Sequence, residues 1–234
     1  MRGKPAKNHL LNHLPPGERG QMIADCDDVN LAQGEVLAEP GERIDYVYFP
    51  TTSSILRISE TAGARLGVAL IGNEGMFGAS LVLGIGYSSA GAVVQGAGAA
   101  LRMTESRFNA LITEESALRR AGNGYLFVLL AQMERSAGCT RFHVLEARLA
   151  RWLLMSADRA GSPFFLMTHE LLARTLGVRR VGVTRAATSL QNRKLIRYFR
   201  GEIEILDRKG LIDAACPCYR ADVSTYRSVL AQRA

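Results

Sequence analysis

The sequence predicts an α+β protein, with short strands in its first half and helices in its second. Three observations carry that class. Between Val29 and Met103, strand-length apolar runs alternate with turn residues. From Thr104 to Arg159 apolar side chains recur at helical spacing. After Thr168, two short helical stretches flank Gly177 and lead into an alternating strand pair. At 234 residues the chain is longer than a typical single domain, so two domains of ordinary size are expected.

Each element follows from its residues. Leu10, Leu11, Leu14, Met22 and Ile23 surround Pro15-Pro16, which predicts short helical pieces broken by a proline turn. Strands are predicted at 35–37, 46–49, 54–58, 66–71, 90–96 and 99–103, each rich in Val, Ile, Leu or Tyr. Pro40-Gly41-Glu42, Thr61-Ala62-Gly63 and Gly72-Asn73-Glu74-Gly75 supply turns between them. Short strands at this spacing make a small β-barrel or sandwich.

Thr104 caps a short helix carrying Phe108, Leu111 and Ile112. A longer helix follows from about Ser116 to Cys139, with Leu118, Tyr125, Leu129 and Gln132 at seven-residue or near-seven-residue spacing. Such a seam predicts packing on a second copy of the chain, with packing inside one chain as the competing outcome. Gly122 and Gly124 weaken that helix by about 1 kcal/mol each unless close approach or a hinge needs them. A further amphipathic helix is predicted from His143 to Arg159, with His143 and Glu146 as a structural hydrogen-bond pair. Gly161-Ser162-Pro163 ends it ahead of a short strand at 164–167.

Apolar residues make up 47% and charged residues 22% of the chain, the balance of a globular protein. No apolar run reaches the roughly 18 to 20 residues of a membrane span, so no membrane partner is expected. Arg2, Lys4 and Lys7 are followed by Asn12, His13 and two prolines, not by a signal-peptide core, and a cytoplasmic location is expected. The net charge of +7 is unevenly spread: residues 141–234 hold 17 Lys and Arg against 8 Asp and Glu, while residues 1–140 hold 12 against 14. That division points to a polyanion partner for the second half alone.

Chemistry beyond binding finds little support. No nucleophile sits beside a base, no P-loop occurs, and an enzyme is not expected. Cys26, Cys139, Cys216 and Cys218 are too dispersed for a disulfide scaffold. Cys216-Pro-Cys218 pairs two thiols, but two ligands do not complete a four-ligand site and no histidine lies nearby in sequence. Neither a metal nor a cofactor is expected.

The stretch from Thr168 to Asn192 is the most informative. Thr168 is placed to cap a helix whose apolar face holds Leu172 and Leu176, and Gly177 stands where a turn needs positive φ. In the next helix Val183, Ala187 and Leu190 form one face, leaving Val181, Thr184, Arg185 and Thr188 on the other, behind Arg179 and Arg180. The pattern fits a helix-turn-helix with a recognition helix for the DNA major groove. Alone, it fits a helical hairpin with a solvated basic face equally well. Residues 194–206 add two strands around Arg200-Gly201, with Ile203 and Ile205 alternating with Glu202 and Glu204, a basic wing that can touch phosphate.

This order of elements resembles the Crp/Fnr family of bacterial transcription regulators over nearly the whole chain. The strongest part is the run from His143 to Leu154, then Thr168 to Gly177, Val178-Arg179-Arg180, Val183, Arg185 and Lys194-Leu195-Ile196. The resemblance implies an N-terminal β-roll (jelly-roll-like) effector domain at 1–115, a long dimerisation helix and hinge at 116–142, and a C-terminal winged helix-turn-helix at 143–234. It implies a homodimer on an inverted-repeat operator in double-stranded DNA, with Leu118, Tyr125, Leu129 and Gln132 at the dimer contact, and RNA polymerase as a further partner. Thr168, Arg179, Arg180, Val181, Thr184, Arg185, Thr188 and Arg200 would face DNA. Arg180 and Arg185 match the two arginines of the family's Arg-Glu-x-x-x-x-Arg reading motif, and Val181 replaces its glutamate.

A small-molecule effector, of unspecified identity, would occupy a pocket formed by Gly78, Ala79, Ser80, Leu81, Ser88 and Ser89. Ala79 replaces the family's ribose-binding glutamate and Ser88 its phosphate-binding arginine, so cyclic AMP is not the expected ligand. The competing function is a ligand-binding regulatory module that acts through protein contacts without sequence-specific DNA binding.

Overall fold

The computed structural model describes residues 8–230, which form two hydrophobic cores joined by one long helix. The cationic stretch with Arg2, Lys4 and Lys7 lies outside the described residues. The chain enters through α1 (His9–Asn12) and α2 (Pro16–Ala24). Buried Asn8 caps α1 by accepting from Leu11 N–H, while its Nδ2 donates to the carbonyls of Pro50 and Gly75 at 2.8 Å each. One side chain thus satisfies a helix end and two turns of the roll.

The roll has two antiparallel sheets. β1 (Asp27–Leu31), β7 (Gly98–Thr104) and β3 (Tyr46–Pro50) form one in that order. β2 (Val36–Ala38), β6 (Gly91–Gly96), β4 (Ser54–Thr61) and β5 (Ala64–Ile71) form the other. All six predicted strands are present. β1 is a seventh strand that the sequence reading missed, because Asp27 and Asp28 on this edge strand carry no apolar signal. A 3-10 turn at Ala79–Leu83, flanked by left-handed Gly78 and Gly84, interrupts the strands.

α3 (Glu105–Leu111) and α4 (Ala117–Phe142) follow, capped by Thr104 and Ser116 hydroxyls that accept from the backbone N–H three residues on. α4 differs from expectation in what it buries. Leu118, Tyr125 and Gln132 are buried within the chain, and Leu129 is half-buried. Gln132 Oε1 accepts from Leu70 N–H of β5 at 2.8 Å, and Tyr125 packs so closely on Gly75 that a Cβ there would lie 1.9 Å from its ring. The seven-residue stripe therefore faces the chain's own roll, correcting its assignment to a dimer contact. Periodicity identifies a buried face without identifying what buries it. The apolar face left in solvent holds Phe127 (55% exposed), Leu130 (51%) and Met133 (40%). Gly122 and Gly124 serve close approach, to Val82 and to Val229 and Leu230.

The second core is built on α5 (Leu145–Ala160), whose Leu149, Trp152 and Leu153 are buried. His143 is not part of this helix but an extended cap of α4, and Glu146 pairs with Arg193 at 2.7 Å instead of with His143. Around α5 lie β8 (Phe164–Leu166), α6 (His169–Leu176), α7 (Arg180–Asn192), β9 (Ile196–Phe199), β10 (Glu202–Ile205) and α8 (Arg208–Ala214). The last helix, α9 (Cys218–Leu230), runs along α4, and Leu230 joins the core of the roll.

The two cores are also in contact. Trp152 Nε1 donates to Gln95 Oε1 of β6 at 3.2 Å, and Arg159 donates to Leu70 O and pairs with Glu74. Among the described residues no helix is long and apolar enough to cross a membrane.

Candidate nucleic-acid interface and effector cavity

Local signals set the α6–α7 pair. Thr168 Oγ1 accepts from Leu171 N–H at 3.2 Å, and α6 ends at Gly177 with φ 64°, where Val178 N–H reaches back to Ala173 O. The turn restarts the chain at Arg179, the cap residue of α7. Val183, Ala187 and Leu190 are buried, as their spacing predicts, and Ala186 joins them. Arg179, Arg180, Val181, Thr184, Arg185 and Thr188 are all exposed, and Val181 is 56% exposed despite being apolar. Behind α7, β10 pairs with β9 and β8, and Arg200 (φ 50°) and Gly201 (φ 88°) form the two-residue turn of the wing. Arg200 is exposed, its guanidinium 5.0 Å from the Phe199 ring centroid. Thr168 is exposed as well, with its oxygen engaged in the cap.

The cations of this surface fall into two sets. Arg174, Arg193 and Arg197 pair with Glu170, Glu146 and Glu204. Arg179, Arg180, Arg185, Lys194 and Arg200 make no ion pair among the described residues, and all five are exposed. Unpaired surface guanidinium groups contribute little to stability and stay available to an external anion.

Sequence reasoning passed over His169. Its ring stacks on Tyr198 of the wing at 4.0 Å between centroids, and its Nδ1 lies 3.0 Å from Thr184 Oγ1 of α7. One imidazole thus ties together α6, α7 and β9. Partial burial, and secondarily Arg180, hold its pKa below the ordinary value. A histidine after a capping threonine carries no local signal of such a contact.

The predicted effector residues are brought only partly together. A cavity of about 420 Å³ lies between the second roll sheet and α4 and is lined by Gly78, Ala79, Ser80 and Ser89 among others. Leu81 and Ser88 do not line it. Leu81 packs into the core, and Ser88 is buried with its hydroxyl donating to Ala90 O at 2.7 Å. The cavity also holds a cation that the sequence comparison missed: Arg57 of β4, with Nη2 3.5 Å from Ser89 Oγ. Its Nε has no acceptor among the described residues, and burial lowers its pKa. The inference that a bound anion would find no cationic partner is corrected on this point, because the arginine comes from a different strand. Phe127, Leu130 and Met133 form part of the same wall, so the cavity opens beside the exposed face of α4.

Comparison with known proteins agrees with this architecture. Residues 147–214 match the family model described as a Crp-like helix-turn-helix domain. A Crp/Fnr-family transcriptional regulator from Thermus thermophilus is similar at 22% identity and TM-score 0.62, over 81% of this chain and 98% of that one. FixK2 from Bradyrhizobium japonicum is similar at 15% identity and TM-score 0.65, over 82% and 98%. The c-di-GMP-responsive global regulator CLP of Xanthomonas campestris is similar at 16% identity and TM-score 0.64, over 82% and 99%. At these identities the structures establish a shared fold. No curated protein sequence matches the chain.

Proposed function

We propose that this chain, a Crp-like helix-turn-helix domain carried on the fold of Crp/Fnr regulators, works as a homodimeric, sequence-specific DNA-binding transcription regulator. The observation that carries the reading is the face of α7, where Arg179, Arg180 and Arg185 stand in solvent without ion pairs beside Val181, Thr184 and Thr188. Arg180 and Arg185 read guanine O6 and N7 through paired hydrogen bonds, and Val181 contacts a thymine methyl where a glutamate would accept from cytosine. Arg179, Thr184, Thr188, Thr168 and Arg200 contact phosphate or fix the approach of the helix.

The exposed Phe127, Leu130 and Met133 of α4 meet the same face of a second copy. That dimer sets two recognition helices roughly 34 Å apart, one turn of duplex, and so reads an inverted repeat. The cavity beside this face takes a small anionic effector, with Arg57 as counter-charge and an apolar wall from α4. Ala79 offers no acceptor to a ribose hydroxyl, so the ligand is not cyclic AMP held in the family's usual way. A cytoplasmic location and contact with RNA polymerase go with the role. The competing module without DNA recognition is not favoured, because it leaves the unpaired cations of α7 without a purpose.

Selection from random duplexes tests the reading. Enrichment of an inverted repeat with half-site centres about 10 base pairs apart is expected. No enriched motif, with or without cell extract, would overturn it.

A further inference from the structure

The fold gathers four side chains with metal-ligand chemistry where α4, α5 and α9 meet. Cys139 lies in the last turn of α4, His143 caps that helix, and Cys216 and Cys218 flank Pro217 at the start of α9. Cys139 and Cys216 are 77 positions apart in sequence, yet their sulfurs are 3.5 Å apart. Cys218 Sγ lies 3.7 Å from His143 Nδ1, and all four ligand atoms fall within 4.8 Å of one another.

These spacings suit a single ion. A tetrahedral centre with metal–sulfur bonds of about 2.3 Å and a metal–nitrogen bond of about 2.0 Å sets neighbouring ligand atoms about 3.5 to 3.8 Å apart. The Cys139–Cys216 and Cys218–His143 contacts already have that length. A cubane iron–sulfur cluster binds each cysteine to a different iron and spreads the sulfurs wider, so this set is too compact for one. Three thiolates and one imidazole are among the ligand sets of structural zinc.

The surroundings favour an anionic centre. Arg148 is buried, donates to Leu176 O at 2.6 Å, and has no ion pair among the described residues. Arg135 and Arg151 share the single carboxylate of Asp222. A divalent ion with three thiolates carries one net negative charge and offsets this excess of buried cation. The backbone holds the ligands in place: His143 N–H donates to Cys139 O, and Cys216 N–H to Ala147 O in the first turn of α5. Cys139 and Cys216 are buried, whereas His143 and Cys218 are half-buried and leave a path for the ion.

We propose that Cys139, His143, Cys216 and Cys218 form a four-ligand site for a thiophilic divalent ion of the zinc class, which fastens the hinge between α4 and α5 to the start of α9. Two segments far apart in sequence, 139–143 and 216–218, share the site, so the ion restrains how the helix-turn-helix domain sits on the long helix. On binding, each thiol that becomes a thiolate gives its proton to solvent, and no redox change occurs.

The test uses the full chain, purified under reducing conditions without chelator or added metal. Elemental analysis is expected to find about one zinc per chain after dialysis. The stripped protein, titrated with cobalt(II), is expected to show the intense visible bands of a tetrahedral site and sulfur-to-cobalt charge transfer. Because the ion binds only the folded state, stripping lowers Tm and zinc restores it. Cys218→Ser and His143→Ala weaken cobalt binding by more than the roughly 10- to 100-fold that loss of an outer-shell partner gives. Cys26→Ser, outside the cluster, leaves binding unchanged. The wild-type cobalt spectrum stands whether or not a variant folds. A reduced, folded chain with no bound metal and no tetrahedral cobalt spectrum would overturn the proposal. So would a Cys139–Cys216 disulfide that re-forms after reduction in the presence of zinc.

Discussion

Two regions use arginine in opposite ways. On α7, Arg179, Arg180 and Arg185 stand in water without ion pairs. At the junction of α4, α5 and α9, Arg148, Arg151 and Arg159 are buried, and each is held by carbonyls or carboxylates. A cation in water contributes little to the fold and can be spent on a polyanion, whereas one out of water must be satisfied or it unfolds its surroundings. The difference separates the surface proposed to read DNA from the architecture that holds it.

The sharpest way to break this contrast is at Asp222, which pairs with Arg151 at 2.7 Å and Arg135 at 2.9 Å. Asp222→Asn keeps the shape but leaves Arg151, 4% exposed, without its counter-charge. A loss of about 3 to 5 kcal/mol is expected in urea unfolding. A change near zero would mean that the junction tolerates a bare cation as well as α7 does.

Gly177 comes next in size. It turns the chain between α6 and α7 at φ 64°, and an added Cβ would meet Leu66 Cδ1 at 3.0 Å. Gly177→Ala should destabilise the chain by roughly 1 to 2 kcal/mol through the left-handed conformation alone. Thermal unfolding measures this, and an unchanged Tm would show that the turn relaxes.

The smallest expected effect is at His169, between the two regimes. Burial holds its folded-state pKa below the ordinary 6.5, so the folded chain favours the neutral ring. Above pH 6.5 both states are neutral and the group contributes no pH dependence. As pH falls below that value the unfolded chain takes the proton first, and stability falls until the folded-state pKa is passed. His169→Gln should remove that component from the stability–pH curve; an unaltered curve would show that the stacked ring titrates normally.

Much of this was legible in the sequence, for local reasons. Thr104 and Thr168 cap the helices that their positions predict, because a capping hydroxyl serves the backbone a few residues away. Alternating Ile203 and Ile205 marked the wing strand, and the spacing of Val183, Ala187 and Leu190 left the polar residues of α7 outside. What was missed depends on distant segments. The stripe of Leu118, Tyr125 and Gln132 was visible, but the sequence does not say whether the chain's own roll or a second copy covers it. Arg57 reaches the cavity from β4 while the family cassette lies beyond β5. Cys139 and His143 meet the Cys216-Pro-Cys218 pair only because α9 returns along α4.

The reading face is tested most directly by affinity for the selected inverted repeat and for a scrambled duplex, measured across a range of salt for the wild type and Arg180→Ala. The wild type should prefer the repeat, with affinity falling steeply as salt rises. Arg180→Ala should lose about 1 to 3 kcal/mol on the repeat, roughly fivefold to 150-fold, with little change on the scrambled duplex or in Tm. Equal affinity of the wild type for both duplexes, or an Arg180→Ala variant that discriminates as well as the wild type, would contradict the account.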